Sequence, residues 1–340
     1  MSRPNEEGLY TLSNRQGMRV LVSARGATLV SWLTPDSGGR MADVLLGYPD
    51  RSGYQDNSTA YFGALVGRWA NRIDGARFTL DGVDYQLDPN DRGNHLHGGG
   101  TGFHQAEWTA RQDDAGLSLT LESPAGEGGY PGTLKVAVRY ELNDDGALSI
   151  VYEASTDAPT PVNLTSHPYF NLNGGASDIG DHLLSIAADD YLPIDSTGIP
   201  LGVEPVDGTP FDFRQPAAIG PRLRLDEQLK NKQMKDALGF DHCYSLRGGR
   251  SAEPREVARV FDPATRRTLT VSTTEPGLQF YSGNYLEGVI GRRPEPYAIH
   301  DGFCLEAQAF PDQVNGPDAE AVILRPGQVY RQTTIYRLGV

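Results

Sequence analysis

Short runs in which apolar and polar residues alternate, closed by residues that favour tight turns, recur along this chain from end to end. Residues 76–87, ARFTLDGVDYQL, carry the pattern most sharply. Phe78 and Leu80 alternate with polar neighbours up to Asp81-Gly82, and Val83, Tyr85 and Leu87 alternate after it. Alternation places every second side chain on one face of a strand, and Asp-Gly supplies the two positive-φ positions of a two-residue hairpin turn. The same reading predicts a hairpin of strands 134–142 and 148–152 around the turn 143–146, and another of strands 257–261 and 268–272 around 262–265. Further strands are expected over 117–121 and 328–338. A helical period shows best in 226–238, where Leu229, Met234 and Leu238 fall at rough helical spacing and Gly239 provides a stop. A second short helix is expected within 57–69. No linker, composition shift or repeat divides the chain. It therefore reads as a single all-β domain over 1–340, a large antiparallel β-sandwich with a few short helices, and its 40 glycines and 23 prolines suit so many turns.

Charge narrows the partners. Lys and Arg total 30 against 44 Asp and Glu, a net −14. Such a field repels phosphates and anionic lipid, and Arg266-Arg267 and Arg292-Arg293 are isolated pairs rather than a basic patch. Neither nucleic acid nor membrane is an expected partner. No apolar run approaches the length of a spanning helix, and MSRPNEEGLYTLSNRQ lacks the apolar segment of a signal peptide. Cys243 and Cys304 show no CxxC or zinc-ligand spacing, which fits a reducing compartment. A cytoplasmic location is the expectation.

Several chemistries find no motif here: no phosphate-binding GxxxxGK[ST], no GxSxG elbow, no HExxH. The glycines of 98–102 lack GxGxxG spacing and read as a turn. His95-Leu-His97 can present two imidazoles to one ion if both lie on one face of a strand. No carboxylate follows within 98–102, and Glu107 is too far along. No metal or other cofactor is therefore expected, and the alternative is one packing histidine and one that binds substrate.

Three segments put polar residues into otherwise apolar strands. In 303–312, FCLEAQAFPD, Glu306 sits within a core-like run, where a carboxylate is unfavourable unless it is paired or used. Desolvation would raise its pKa toward the range of a general base, although a structural, edge-capping glutamate also fits. In 162–172, VNLTSHPYFNL, His167 is hemmed in by apolar and aromatic residues and reads equally well as a satisfied core histidine. In 239–244, GFDHCY, Asp241 has no adjacent Lys or Arg. Alternation predicts that Cys304, Glu306 and Gln308 share a face, as do Gln279 and Tyr281. Cys304 either underlies a pocket there or is a small buried hydrophobe.

Together these segments resemble the aldose 1-epimerase (galactose mutarotase) family. The resemblance rests on GRWANRI at 67–73, FTLDG at 78–82, NHLHGG at 94–99, NLTSHPYFNL at 163–172, FDH at 240–242, PGLQFYSGN at 276–284 and CLEAQAFPD at 304–312. It implies a galactose mutarotase-like supersandwich that converts α and β anomers of a free monosaccharide. It further implies Glu306 as general base on the anomeric hydroxyl and His167 as general acid on the ring oxygen. Asn71, Arg72, His97, Asp241 and Gln279 would hold the sugar's hydroxyls. Ser166-His167-Pro168 stands where many members carry Asn-His-Ser, and Ala309 where a larger polar residue is frequent; both could tune sugar preference. Two other classes compete: a glycosidase using Asp241 and Glu306, which leaves His167 without a role, and a non-catalytic sugar-binding module on the same sandwich. The expected assembly is a monomer or homodimer.

Overall fold

The computed structural model describes residues 4–5, 8–55, 57, 59–224 and 230–340. Its largest sheet has nine strands, in the spatial order Thr109–Gln112, Leu117–Ser123, Leu134–Leu142, Ala147–Thr156, Tyr330–Gly339, Thr268–Thr273, Arg255–Phe261, Leu183–Ile186 and Ala217–Ala218. All of these neighbours pair antiparallel, and the C-terminal strand sits in the middle. A five-stranded antiparallel sheet runs Glu204–Pro205, Ala188–Tyr191, Asp241–Leu246, Gly277–Tyr281, Cys304–Gln308. A four-stranded sheet of Leu9–Ser13, Arg19–Ser23, Thr28–Pro35 and Met41–Asp43 completes the framework.

The two larger sheets face each other across one hydrophobic cluster. Ile150, Val271, Tyr336 and Leu338 come from the nine strands, and Leu278, Phe280, Leu305 and Ala307 from the five. Each large apolar side chain removed from water here contributes roughly 1.5–3 kcal/mol. Two polar contacts cross the same gap and fix register: Tyr336 Oη donates to the Leu305 carbonyl at 2.9 Å, and Gln332 Nε2 donates to that of Ala307 at 2.9 Å. The all-β sandwich expected from alternation is the observed architecture.

Local turn chemistry set the hairpins as anticipated. Arg77–Leu80 and Val83–Gln86 pair with Leu80 opposite Val83, leaving Asp81 and Gly82 as the turn at φ 51° and 80°. The helix expectations need correction. Residues 226–229 of the 226–238 pattern lie outside the described residues. Within the described part, Lys232–Ala237 forms a helix opened by Asn231, whose side chain accepts from the amides of Gln233 and Met234. Leu238 turns left-handed and Gly239 follows at φ 138°. Among the described residues of 57–69 there is no helix; the span contains the strand Leu65–Val66. The Asn57 side chain takes both the N–H and the C=O of Phe62, and Tyr61 and Gly63 adopt positive φ. A Cβ on Gly63 would sit 1.9 Å from the Leu29 carbonyl oxygen, so only glycine fits this turn. Among the described residues no helix is long and apolar enough to cross a membrane.

Candidate active site

The site grows from the five-stranded sheet by adding neighbours beyond its Cys304–Gln308 edge. Asp241, Gln279 and Glu306 come from adjacent strands, with Asp241 opposite Tyr281, and Gln279 opposite Glu306. Residues two apart on a strand share a face, so Asp241, Cys243, Gln279, Tyr281, Cys304, Glu306 and Gln308 all point to the side away from Phe280, Leu305 and the core. The segment 163–170 then lies along the outer edge. Phe170 and Phe303 exchange both backbone hydrogen bonds, at 2.7 and 2.9 Å, and the Ala309 amide donates to Asn163 Oδ1. This brings His167 over Cys304 and Glu306. Beyond it, Leu65–Val66 pairs with Thr165–Ser166, and Arg72–Ile73 pairs with His95–Leu96. Six segments distant in sequence thus lie side by side.

The resulting cleft, about 690 Å³, is lined by Asn71, Arg72, His97, His167, Asp241 and Glu306, together with Tyr61, Asp91, Tyr169, Tyr281 and Tyr285. At its floor Glu306 Oε1 lies 3.6 Å from His167 Nε2. Glu306 is 2% exposed and His167 5%. Burial pushes the Glu306 carboxyl well above its usual range, with nearby Asp241 adding and Arg72 opposing. Burial drives His167 down to about 4, against a smaller opposing effect of its own backbone carbonyl. Both shifts favour the uncharged groups.

Arg72 organises the cleft wall. Its Nε donates to Asp91 Oδ2 at 2.7 Å, and its Nη1 lies 3.8 Å from Asp241 Oδ2. Burial alone would raise the Asp91 carboxyl, but Arg72 and Arg92 hold it below its ordinary value. Asp241 is fixed from behind by Gln279, whose Nε2 donates to Oδ1 at 2.7 Å. Gln279 does not line the cleft; it is 3% exposed and supports Asp241 from the strand beneath.

Asn71 and His97 interlock in left-handed conformations, at φ 65° and 53°. The Asn71 amide donates to His97 Nδ1 at 3.1 Å, and the His97 amide donates to the Asn71 carbonyl at 3.2 Å. Asn71 Oδ1 meanwhile accepts from the Arg72 amide at 2.8 Å. An imidazole nitrogen that accepts an N–H carries no proton, so neutral His97 holds its proton on Nε2. Burial, then the neighbouring His167 and Arg72, keep that ring well below its usual pKa and so neutral. Gly98 follows at φ 88°; a Cβ there would meet the Gly67 carbonyl oxygen at 1.9 Å.

The positive φ at His97 ends the strand alternation that would have put His95 beside it. His95 faces inward, with Nδ1 2.8 Å from the Asp88 carbonyl and Nε2 2.7 Å from Tyr130 Oη. The His-x-His pair is therefore divided between a packing histidine and a cleft histidine. His97, His167 and Glu306 do offer ligand atoms all within 4.8 Å of one another. However, a metal bound at Nε2 of His97 would need Nδ1 to donate, and there it accepts.

Sequence reasoning missed Asp91, Tyr61, Tyr169 and Tyr285. Asp91 belongs to the turn-like DPNDRGN at 88–94, where nothing separates it from Asp88. Tyr169 lay inside the His167 motif and could have been singled out there.

A β-sandwich whose edge carries a buried carboxyl–imidazole pair within a polar cleft has the groups that proton transfer on a small hydroxylated molecule requires. Residues 8–337 match the family model described as aldose 1-epimerase. Over 326 residues, 95% of this chain and 92% of that protein, the chain is 45% identical to a galactose mutarotase of Rattus norvegicus. It is 41% identical to an aldose 1-epimerase of Escherichia coli (strain K12) over 333 residues, 97% of this chain and 94% of that one. The crystal structure of galactose 1-epimerase from Lactobacillus acidophilus NCFM superposes with a TM-score of 0.84 at 32% identity, covering 100% of this chain and 97% of that chain. The chain belongs to the aldose 1-epimerase family.

Proposed function

We propose that this chain is a mutarotase that interconverts the α and β anomers of free aldohexoses such as D-galactose and D-glucose. The observation that carries the reading is Glu306 Oε1 at 3.6 Å from His167 Nε2 on the floor of a polar cleft. Opening the ring takes the O1 proton to Glu306, breaks the C1–O5 bond as C1=O1 forms, and delivers a proton from His167 to O5. Rotation about C1–C2 presents the other face of the aldehyde, and closure returns both protons. No atom is gained or lost over the cycle, and each well-placed proton-transfer group is worth about 10²–10⁴-fold.

One proton shared by the pair suffices for both directions. The ionised carboxylate with imidazolium opens the sugar; the neutral carboxyl with neutral imidazole closes it. Burial of both groups favours the neutral placement, the one held while the sugar is open. His97 Nε2–H, the Arg72 guanidinium and the Asp241 carboxylate offer donors and an acceptor to the hydroxyls, Asn71 sets the His97 ring, and Gln279 steadies Asp241. A glycosidase would need Asp241 free to act as the second carboxylate, whereas Arg72 and Gln279 both engage it.

The single hydrophobic cluster shared by both large sheets supports one domain over 1–340. Two free, buried cysteines and the bacterial relative support a cytoplasmic location, and a monomer or homodimer is the assembly we favour. Polarimetry of freshly dissolved α-D-galactose and α-D-glucose tests the reading directly. Enzyme should hasten the approach to the equilibrium rotation without changing its value; an unchanged rate with both sugars would overturn it.

A further inference from the structure

Cys304 stands two residues before Glu306 on the same strand and the same face, opposite Tyr281. Its Sγ lies 3.5 Å from Nδ1 of His167, and the two residues are 0% and 5% exposed. Around the rest of the ring His167 meets aromatic neighbours, with Tyr61, His97, Tyr169 and Tyr281 at centroid separations of 5.9, 5.4, 5.1 and 6.3 Å. Those contacts confine the ring plane but do not choose which nitrogen carries a proton. At Nδ1 that choice falls to the thiol and the residue's own carbonyl.

We infer that Cys304 is the positioning residue of the general acid, a thiol that stays hydrogen-bonded to His167 Nδ1 through both protonation states of the catalytic cycle. The inference rests on the assignment of His167 as that acid. A thiol is both a weak donor and a weak acceptor. When His167 is an imidazolium, Nδ1–H donates to sulfur and the Nε2 proton faces Glu306 and the cleft. Once Nε2 has given its proton to the ring oxygen, the neutral ring keeps Nδ1–H, which still donates to sulfur, and Nε2 is left bare to take the proton back at closure. A carboxylate at this place would favour the imidazolium and weaken it as an acid, while a purely apolar side chain would leave the ring to its own carbonyl. Burial, with Glu306 and Asp241 adding, holds the thiol well above its usual pKa, so the S–H persists at neutral pH.

The test compares Cys304→Ala, which removes the partner, with Cys304→Ser, which keeps a group able to donate and accept. Both are assayed by polarimetry beside His167→Asn and Glu306→Gln. The alanine variant should lose about five- to tenfold in kcat with KM within about twofold, the scale of one lost hydrogen bond. The serine variant should recover to within about threefold of wild type. In wild-type protein, ¹⁵N shifts should report a hydrogen-bonded Nδ1 on His167, and they should move in Cys304→Ala. This readout also decides the matter if the alanine variant folds poorly, since an Nδ1 with free-imidazole shifts in wild type refutes the contact. Wild-type kcat in Cys304→Ala, or equal losses in the alanine and serine variants, would reduce Cys304 to a packing residue. Retained activity in His167→Asn would instead remove the acid assignment on which the inference stands.

Discussion

Strands Leu134–Leu142 and Cys304–Gln308 read alike as sequence: LKVAVRYEL and CLEAQ both alternate. Their surroundings are opposite. In the first, Lys135, Arg139 and Glu141 reach water and pair loosely there, Lys135 with Glu122 and Arg139 with Asp113 and Glu141. In the second, every residue is buried, the apolar ones against the core and the polar ones beneath the cleft. Alternation reports that a strand has two different faces; it does not say whether the polar face meets solvent or a site. What separates the two is partnership. Glu141 has an arginine 2.5 Å away, whereas Glu306 is buried, with Oε2 unpartnered among the described residues and Oε1 3.6 Å from His167 Nε2. An unpaired carboxylate in that position is unfavourable for folding, which is what marks Glu306 as a candidate for the proposed base.

The comparison breaks most decisively at the acid/base pair. Glu306→Gln keeps the size but cannot take the O1 proton, and His167→Asn keeps one hydrogen bond but cannot deliver a proton. Each should lower kcat by about 10²–10⁴-fold with little change in KM. The double variant should be little worse than the poorer single one, because each transfer depends on the other. On the solvent-facing strand, Glu141→Gln should leave kcat within about twofold, as expected for an exposed pair. Near-normal mutarotation by folded Glu306→Gln would show that the base is elsewhere, with Asp241 the next carboxylate to test.

Arg72 sharpens the distinction between holding and reacting. Its guanidinium bridges Asp91 and Asp241 at the cleft wall, away from the O1 and O5 chemistry assigned to Glu306 and His167. Arg72→Ala should raise KM about 10–100-fold, the loss of a charged hydrogen bond, and change kcat less. Initial rates over a range of sugar concentrations separate the two. A fall in kcat at constant KM would make Arg72 part of transition-state stabilisation.

The difference between these strands also marks where sequence reading reached and where it stopped. The 77–86 hairpin was legible because its turn is decided by two adjacent residues. The strand expected over 148–152 extends to Ala147–Thr156, because pairing with Tyr330–Gly339 on its far side adds residues that local pattern cannot supply. The Lys232–Ala237 helix is short because Asn231 caps it from inside the apolar period, a choice between capping and continuing that spacing does not resolve. Glu306 and Asp241 stood out because polar residues in apolar runs need a reason. Asp91 did not, since its role depends on Arg72 folding back across 19 positions. His95 and His97 could not be told apart without the positive φ that separates them.

Acid should unfold the protein through its buried imidazoles rather than through its exposed ion pairs. Burial lowers His167 and His182 to about 4 and His242 to about 3, from 6.5. A group whose folded pKa is depressed contributes stability that is present above its unfolded pKa and lost as pH falls toward the folded one. The three histidines therefore lose stability from pH 6.5 downward to about 4 and 3. Glu306 and Glu275 run the other way: burial raises Glu275 to about 7, so its contribution is present below pH 4.5 and declines as pH rises through 7. Below pH 4.5 the histidines act without that offset. An imidazole held neutral by burial destabilises the fold by about 1.4 kcal/mol for each pH step below its ordinary titration point. Thermal melts should therefore fall by several degrees between about pH 6 and 4. His242→Gln, which keeps a neutral group beside Gln233, should flatten that decline if it folds. A melting temperature constant over this range would deny the burial argument.

Metal removal should have the smallest effect of all. His97, His167 and Glu306 are close enough to suggest a site for an ion. Two of them have other roles in this reading: His97 Nδ1 accepts the Asn71 amide, which leaves a proton rather than a lone pair on Nε2, and His167 is the general acid proposed above. A divalent ion bound there would displace the proton that the pair must shuttle. Prolonged chelation should thus leave kcat and KM unchanged, and added zinc should inhibit, if it acts at all, in competition with sugar. Activity lost on chelation and restored by one divalent ion would reverse the tautomer assigned to His97. The site face of the Cys304–Gln308 strand would then be the floor of a metal centre, not of a proton-transfer cleft.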